Sequence, residues 1–365
     1  MRVAIVGAGL AGLATAAALS RSGHQVRVFE QADGLRASGL AINLWSNATS
    51  LLPAFGIPAN HIPGEPFSRM VFRASGREVA SMSLPAKGLP HVNVERAELL
   101  TALAAVLPDD AIVFGNRCTD AQALAAEYDL VVVADGSNSV LRSAVTEPPR
   151  QRQTWMVWQA SVTAGIPDLP AGACASVVRH GFFSGVFRLA GDRATWFAEQ
   201  PGRAPGTGAQ LLSELTEDED PVLRAVARAT PEQSWIEWRA EDMWPPPTLH
   251  RGNIVLAGDA AHAMLPTVGQ GACQSLEDAA VLAGALVTEG ELDQALRRYD
   301  AERVPRVRRF VRLARAGARG RRPGRASSLM PPVMSARMMA LAGGPALRRM
   351  TRPSVVVSGL NLATD

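Results

Sequence analysis

The sequence predicts an α/β protein: a parallel-sheet domain interrupted by a mainly antiparallel β-sheet domain and finished by C-terminal helices. Three observations carry this. Residues 2–6 and 25–30 are short β-branched runs flanking an Ala- and Leu-rich helix pattern at 10–21, a β-α-β unit. Buried-strand runs of the same kind return at 129–134 (DLVVVA) and 253–257 (NIVLA). Between them, residues 155–200 alternate apolar and polar residues in short runs broken by glycine, the pattern of antiparallel sheet.

Element by element, Gly23 is placed to end the first helix. Residues 69–72 and 78–82 read as strands around a turn at Ser75-Gly76, and 96–106 as a helix. Residues 210–229 read as mostly helical, 273–288 as a long helix and 293–316 as a basic amphipathic helix. The stretch 317–325 (GARGRRPGR) reads as a linker. This order predicts a discontinuous parallel-sheet domain of residues 1–68, 94–150 and 251–325. A second, inserted domain comprises 69–93 and 151–250, and residues 326–365 form a C-terminal helical segment and tail.

Composition narrows the class. The chain has 365 residues, 47% apolar, with a net charge of +3, so it can bury a large core and is not an obvious nucleic-acid binder. Its basic residues are almost all arginine; Lys87 is the single lysine. Cys118, Cys174 and Cys273 are far apart and show no metal-ligand spacing, so no metal site is expected and a reduced, cytoplasmic protein is the simplest reading. The N-terminus runs straight into a glycine loop and does not read as a leader, and no apolar run is long enough to span a membrane. The expected assembly is a monomer or a homodimer.

The first motif is Gly7-Ala8-Gly9-Leu10-Ala11-Gly12, a GxGxxG between predicted strand and helix. Gly7 permits the tight turn, Gly9 lets the backbone approach a pyrophosphate, and Gly12 lets helix and strand close together. Glu30 ends the second strand, placed to accept hydrogen bonds from an adenosine ribose. The motif marks a Rossmann-like domain but does not separate NAD from FAD.

The second motif, NIVLAGDAAHAMLPTVGQGACQSLED at 253–278, does separate them. A strand ends in Gly258-Asp259-Ala260, a loop carries Pro266 and Gly269-Gln270-Gly271, and a helix follows through Ala272. This resembles the second FAD fingerprint of the group A flavoprotein monooxygenases, the para-hydroxybenzoate and salicylate hydroxylase type. The resemblance implies that Asp259 binds the ribityl hydroxyls of FAD and that Pro266 and the 269–271 loop lie beside the flavin ring. A glycine-rich helix start there can stabilise negative charge on reduced flavin. The run DLVVVADGSNSVLR at 129–142 resembles the family's Asp-Gly fingerprint through Asp135, Gly136, Ser139 and Arg142, a segment that in the family serves FAD and the visiting nicotinamide cofactor. Arg96 opens a predicted helix, a position the helix dipole disfavours for a cation. The family places an FAD-contacting arginine there, and Arg36 is a further candidate for FAD or NAD(P)H. The parallel-sheet domain is therefore expected to bind FAD, with NAD(P)H as a transient co-substrate. The resemblance covers about residues 1–316. It departs between the Arg96 helix and the strand at 129–134, where only 110–128 remains of a longer β-meander.

The inserted sheet is the expected substrate domain. Trp155, Trp158, Gln159, His180, Phe182, Phe183, Phe187, Trp196, Phe197 and Met264 are candidates to line it, with core packing the competing reading for each aromatic. Many rings and few polar anchors suit a multi-ring aromatic better than a small carboxylate. Only His180 and His91 come into question as a catalytic base, against a structural histidine, and His262 reads as support for the flavin loop. The expected activity is hydroxylation of an electron-rich aromatic with NAD(P)H and O2 through a C4a-hydroperoxyflavin. A reductase of the same fold that does not use O2 and a non-catalytic flavin-binding partner in a biosynthetic complex remain alternatives. The arginines between 303 and 325 read as a solvated helix face.

Overall fold

The computed structural model describes residues 1–35, 41–84, 86, 88–147, 154–179, 182–200, 207–232, 234–320 and 331–350. Its six-stranded sheet has the order β15 (His250–Arg251), β16 (Ile254–Leu256), β9 (Leu130–Val133), β1 (Arg2–Val6), β2 (Gln25–Phe29), β8 (Ile112–Val113). Every neighbouring pair is parallel except β15–β16. Val6 pairs with Val133, and Val133 with Leu256, so β1, β9 and β16 end in one row. The loops after them carry the three sequence motifs and therefore leave the sheet side by side, although the chain separates them widely. This is the edge at which open parallel sheets bind ligands. Helix α1 (Leu10–Arg21) packs against α8 (Gly271–Thr288), which packs in turn on α9 (Leu292–Gly320).

A seven-stranded sheet has the order β14 (Ile236–Glu241), β10 (Thr154–Thr163), β13 (Arg193–Gln200), β12 (Phe182–Arg188), β11 (Ala173–Arg179), β5 (Arg69–Ala74), β6 (Arg77–Ser83). It is antiparallel except for β5 against β11. One face buries Trp158, Trp196, Val186 and Ala175 against α5 (Gly208–Thr216) and α6 (Pro221–Arg228). The other looks toward the parallel-sheet body. A three-stranded sheet, β3 (Ala41–Leu44), β7 (His91–Glu95), β4 (Glu65–Phe67), lies in the segments that link the two larger sheets. Helix α10 (Pro332–Met350) crosses β5, β6 and β11.

Several expectations change. The helix read at 210–229 is two helices, because Asp220 turns the chain: its carboxylate caps Val222 N and Leu223 N, Pro221 follows it, and Arg73 pairs with it at 2.9 Å. Helix α9 continues past 316 through Gly320, into the stretch read as a linker. The shortened region after helix α3 (Arg96–Ala104) forms the two-residue β8 and helix α4 (Ala121–Glu127), capped by Asp120. Strands β3, β4 and β7 and helix α2 (Ser46–Thr49) carry too short a pattern to be read in advance.

Candidate active site

A cavity of about 1000 Å³ runs from the loops of the parallel sheet to the inner face of the seven-stranded sheet. Its parallel-sheet end is built on the glycine motif, and the three glycines play three different parts. Gly7 has φ +103°, and a Cβ there would lie 2.6 Å from Ala134 O. A Cβ at Gly12 would lie 1.9 Å from Gly7 O, so helix and turn touch through this residue. Gly12 is accordingly a packing glycine and does not line the cavity. At Gly9, by contrast, a Cβ would meet only Arg96 Nη2 at 3.8 Å and would point into open space. Gly7, Gly9, Leu10 and Ala11 all line the cavity.

The acidic and basic groups around this cradle are positioned but incompletely partnered. Glu30 Oε2 accepts from Ala8 N at 2.8 Å and Oε1 from Ala32 N at 2.9 Å, which fixes the carboxylate beside the glycine turn. Asp135 and Gly136 line the cavity, and Asp135 Oδ1 is buried with no hydrogen-bond partner among the described residues. The same is true of Arg96 Nε. A cradle open at Gly9, a free N–H helix end and two orphaned polar side chains are what a dinucleotide pyrophosphate and its sugars would satisfy. The residues present fit FAD. Arg36 lies outside the described residues.

The Gly258-Asp259 loop meets the same cradle. Gly258 has φ +61°, and a Cβ on it would lie 2.6 Å from Ala11 Cβ, so only glycine allows the contact. Asp259 opens the short helix α7 (Asp259–His262) and is exposed to the cavity. Ala260 is fully buried and contributes its carbonyl, which accepts from Arg142 Nε at 2.6 Å. Arg142 also donates to Ser137 O at 2.8 Å and to Gly136 O and Asp259 O at 3.4 Å. It is a clamp between two motifs and not a ligand-facing cation.

The loop 266–272, expected at the flavin ring, is held from below. Pro266, Thr267, Val268, Gly269, Gly271 and Ala272 line the cavity. Gly269 (φ +60°) accepts from Trp45 Nε1 at 3.1 Å, and Thr267 Oγ1 donates to Ala314 O at 2.8 Å. Gln270 corrects its expected place at the ring. Its side chain is fully buried and turns away from the cavity into a polar network. In that network Asn47 donates to Gln270 Oε1 at 3.2 Å and to Glu277 Oε1 at 2.8 Å. Arg303 reaches Glu277 and Asp278 at 2.7 Å each and Gln274 Oε1 at 2.8 Å; Arg306 closes on Glu277. Asp278 Oδ2 accepts from Gly258 N at 2.8 Å and sits 2.6 Å from His262 Nε2. Burial pushes the Asp278 carboxyl up, but the His262 ring and the Arg303 guanidinium more than reverse this and hold it at about 2. The network thus ties the Gly258-Asp259 loop to the loop 266–272. Arg303 and Arg315 are buried and ion-paired, which overturns a solvated face for those two positions.

At the sheet end, a cross-strand row runs Phe72, Ser176, Gly185, Phe197, Gln159 over five strands. All but Gly185 line the cavity. Flanking rows add Met70 with Met82, and Phe183 with Val157 and Trp238. Phe187 and Phe197 stack at 5.6 Å. Of the aromatics proposed in advance, Phe183, Phe187 and Phe197 line the cavity. Trp158 and Trp196 do not, because strand alternation turns them to the helix-covered face. Trp155 packs against Leu265 and Ala314. His180 lies outside the described residues, as does the side chain of Phe182. His91 is buried, accepts from Ser46 N at 2.8 Å and is driven by burial to a pKa of about 4, so it is a neutral structural histidine. Trp45, Asn43, Phe67 and Met339 line the cavity unanticipated. The hydrogen bond of Trp45 to the flavin loop spans parts of the chain that no local pattern connects. Cys174 and Cys273, both pushed by burial to about 12, are inert thiols. No group of metal-ligating side chains occurs among the described residues.

The fold and the cavity define a flavoprotein. The FAD binding domain family matches residues 101–314, and an NAD(P)-binding Rossmann-like domain matches residues 5–43. The chain is 30% identical to the FAD-dependent urate hydroxylase of Klebsiella pneumoniae subsp. pneumoniae, over 86% of this chain and 89% of that one. It is 32% identical to the 3-amino-4-hydroxybenzoate 2-monooxygenase of Streptomyces cremeus, over 86% of each. The crystal structure of Klebsiella pneumoniae HpxO complexed with FAD and uric acid superposes with a TM-score of 0.84 at 26% identity, covering 97% of this chain and 96% of that one. The chain belongs to the group A FAD-dependent aromatic monooxygenases. It is an oxidoreductase with FAD as cofactor and NAD(P)H as co-substrate. No helix among the described residues is long and apolar enough to cross a membrane.

Proposed function

We propose that this enzyme hydroxylates a neutral, electron-rich, multi-ring arene held against the row Phe72, Ser176, Phe197 and Gln159. The observation that carries this reading is that this row and the flavin loop 266–272 line one cavity. Bound FAD supplies the redox chemistry, accepting hydride from NAD(P)H and delivering one oxygen atom of O2 to the substrate. The chain's own residues do the rest. Gly9, Arg96 and the start of α1 seat the pyrophosphate, Glu30 takes the adenosine ribose, and Asp135 and Asp259 take polar groups of the flavin half. The free N–H groups at the start of α8, at Gly271 on the cavity wall, would favour negative charge on bound reduced flavin. Stacked Phe187 and Phe197 orient a planar substrate and exclude water. Arg239 is the one basic side chain among described residues on the cavity's sheet side, and it lies at the exposed β14 edge, 3.7 Å from Glu241. Among the described residues, that wall offers no buried cation to a carboxylate. Gln159 Nε2 donates to Ala41 O at 2.8 Å, and the Ser176 hydroxyl also lines this wall.

The test is product analysis under ¹⁸O2 with a panel of phenolic and keto-bearing polycycles, selected by their stimulation of NAD(P)H oxidation. One labelled oxygen in the product is expected. A reduced product without label identifies an oxygen-independent reductase. Absence of NAD(P)H oxidation with every compound identifies a silent flavin-binding partner.

A further inference from the structure

Helix α10 presents one face to the body of the protein. Val333, Ala336, Met339 and Ala340 recur at helical spacing; Ala336 is fully buried, and the other three are partly buried against the core cluster that contains Phe72, Met82 and Cys174. Alanine at 336 and 340 lets the helix come close to β5, β6 and β11. From that position Met339 is the one described side chain of α10 that lines the cavity. Met70 and Met82, paired across β5 and β6, line it at the same edge of the seven-stranded sheet. Unbranched thioethers change shape at low cost, so a methionine wall yields to ligands of different outline while remaining apolar.

We propose that Met339 is a specificity-determining residue: it closes the β5–β6 end of the substrate chamber and sets how large an arene the enzyme accepts. The proposal rests on the hydroxylase reading above. It gives the C-terminal helix a role in substrate choice, separate from FAD binding, whose residues lie on other elements. Enlarging the side chain shortens the chamber for extended ring systems and leaves single rings unaffected; truncating it does the reverse.

The experiment uses FAD-loaded full-length enzyme, with phenol, 2-naphthol and 2-anthrol as probes of increasing length. Binding is read anaerobically, without NAD(P)H, from perturbation of flavin absorbance, so that it does not depend on turnover. Met339→Trp is expected to weaken 2-anthrol roughly tenfold or more while changing phenol less than about twofold, and Met339→Ala to move the optimum toward 2-anthrol. FAD content and Tm should stay at wild-type values in both. Equal changes for all three probes, no change for any, or failure of the wild type to bind any probe would overturn the proposal. If the affinities follow this order but no probe is hydroxylated under ¹⁸O2, the reading of the substrate as a phenolic polycycle fails and the size filter stands.

Discussion

The ring of Phe197 lies where a side chain at Gly185 would have to be: a Cβ there would sit 2.3 Å from Phe197 Cε1 and 2.9 Å from Phe187 Cζ. The two residues face each other on adjacent antiparallel strands. The glycine leaves a hollow, the phenylalanine fills it, and its stacked partner Phe187 is held beside it. Gly185→Ala should therefore push the Phe197 ring toward the chamber. Substrate affinity should fall by roughly tenfold, with FAD content unchanged. Titration of substrate into the holoenzyme checks this; affinity equal to wild type would show that Phe197 does not shape the chamber.

Gly9 and Gly12 should fail differently. A valine at Gly9 has room in the fold and occupies the space of the pyrophosphate, so Gly9→Val should give a folded, colourless protein with the Tm of apo wild type. A valine at Gly12 meets Gly7 O at once and should prevent folding or cost about 3 kcal/mol or more. Circular dichroism melts, together with flavin absorbance, separate the two cases. Full FAD retention by Gly9→Val would contradict the assigned cradle.

Arg303 is 1% exposed and bonded to both Glu277 and Asp278. Arg303→Met removes one side of a buried network and should cost about 3–5 kcal/mol, because Glu277 and Asp278 lose the cation they share and keep only Arg306 and His262. Adding Glu277→Gln should recover part of that loss in urea unfolding. Strict additivity of the two substitutions would mean that the charges are not coupled.

His91 predicts an acid dependence. Its pKa in the fold, about 4, lies below the ordinary 6.5, chiefly because it is buried. As pH falls through 6.5 the unfolded chain takes up the proton first. The contribution to stability is therefore complete above 6.5 and is lost progressively toward 4. Between pH 7 and 5, wild type should lose roughly 2 °C more of Tm than His91→Asn, whose amide oxygen can still accept from Ser46 N. Parallel Tm profiles for the two proteins would remove this role.

What sequence could show depended on whether backbone geometry or packing decides a position. Gly7, Gly12 and Gly258 were readable because their turns and contacts exclude a side chain, and Gly9 because its motif reserves open space for a pyrophosphate; both leave a mark in the letters themselves. Which aromatics face the substrate was not readable. The seven-stranded sheet is apolar on both faces, one against α5 and α6 and one against the cavity, so alternation gives no sign of which parity points inward. Arg303 looked like its solvent-facing neighbours on a basic helix. Its burial follows from the docking of α9 on α8, a tertiary fact with no local pattern. Gln270 was drawn to the ring by its motif, yet Asn47 and Gln274 hold its amide in the interior.

The clamp formed by Arg142 has a bearing on how the protein is made. When the ribosome has released the seven-stranded sheet as far as β13, Gly7, Glu30, Arg96 and Asp135 are all present, but Arg142 has no Ala260 carbonyl to hold, and β9 has no β16 beside it. Cofactor capture therefore belongs to the last part of synthesis, after residue 260 has emerged. Until then the nascent chain carries an apolar strand, LVVV, with one unpaired edge. An unpaired apolar edge of this kind favours misassembly during that interval.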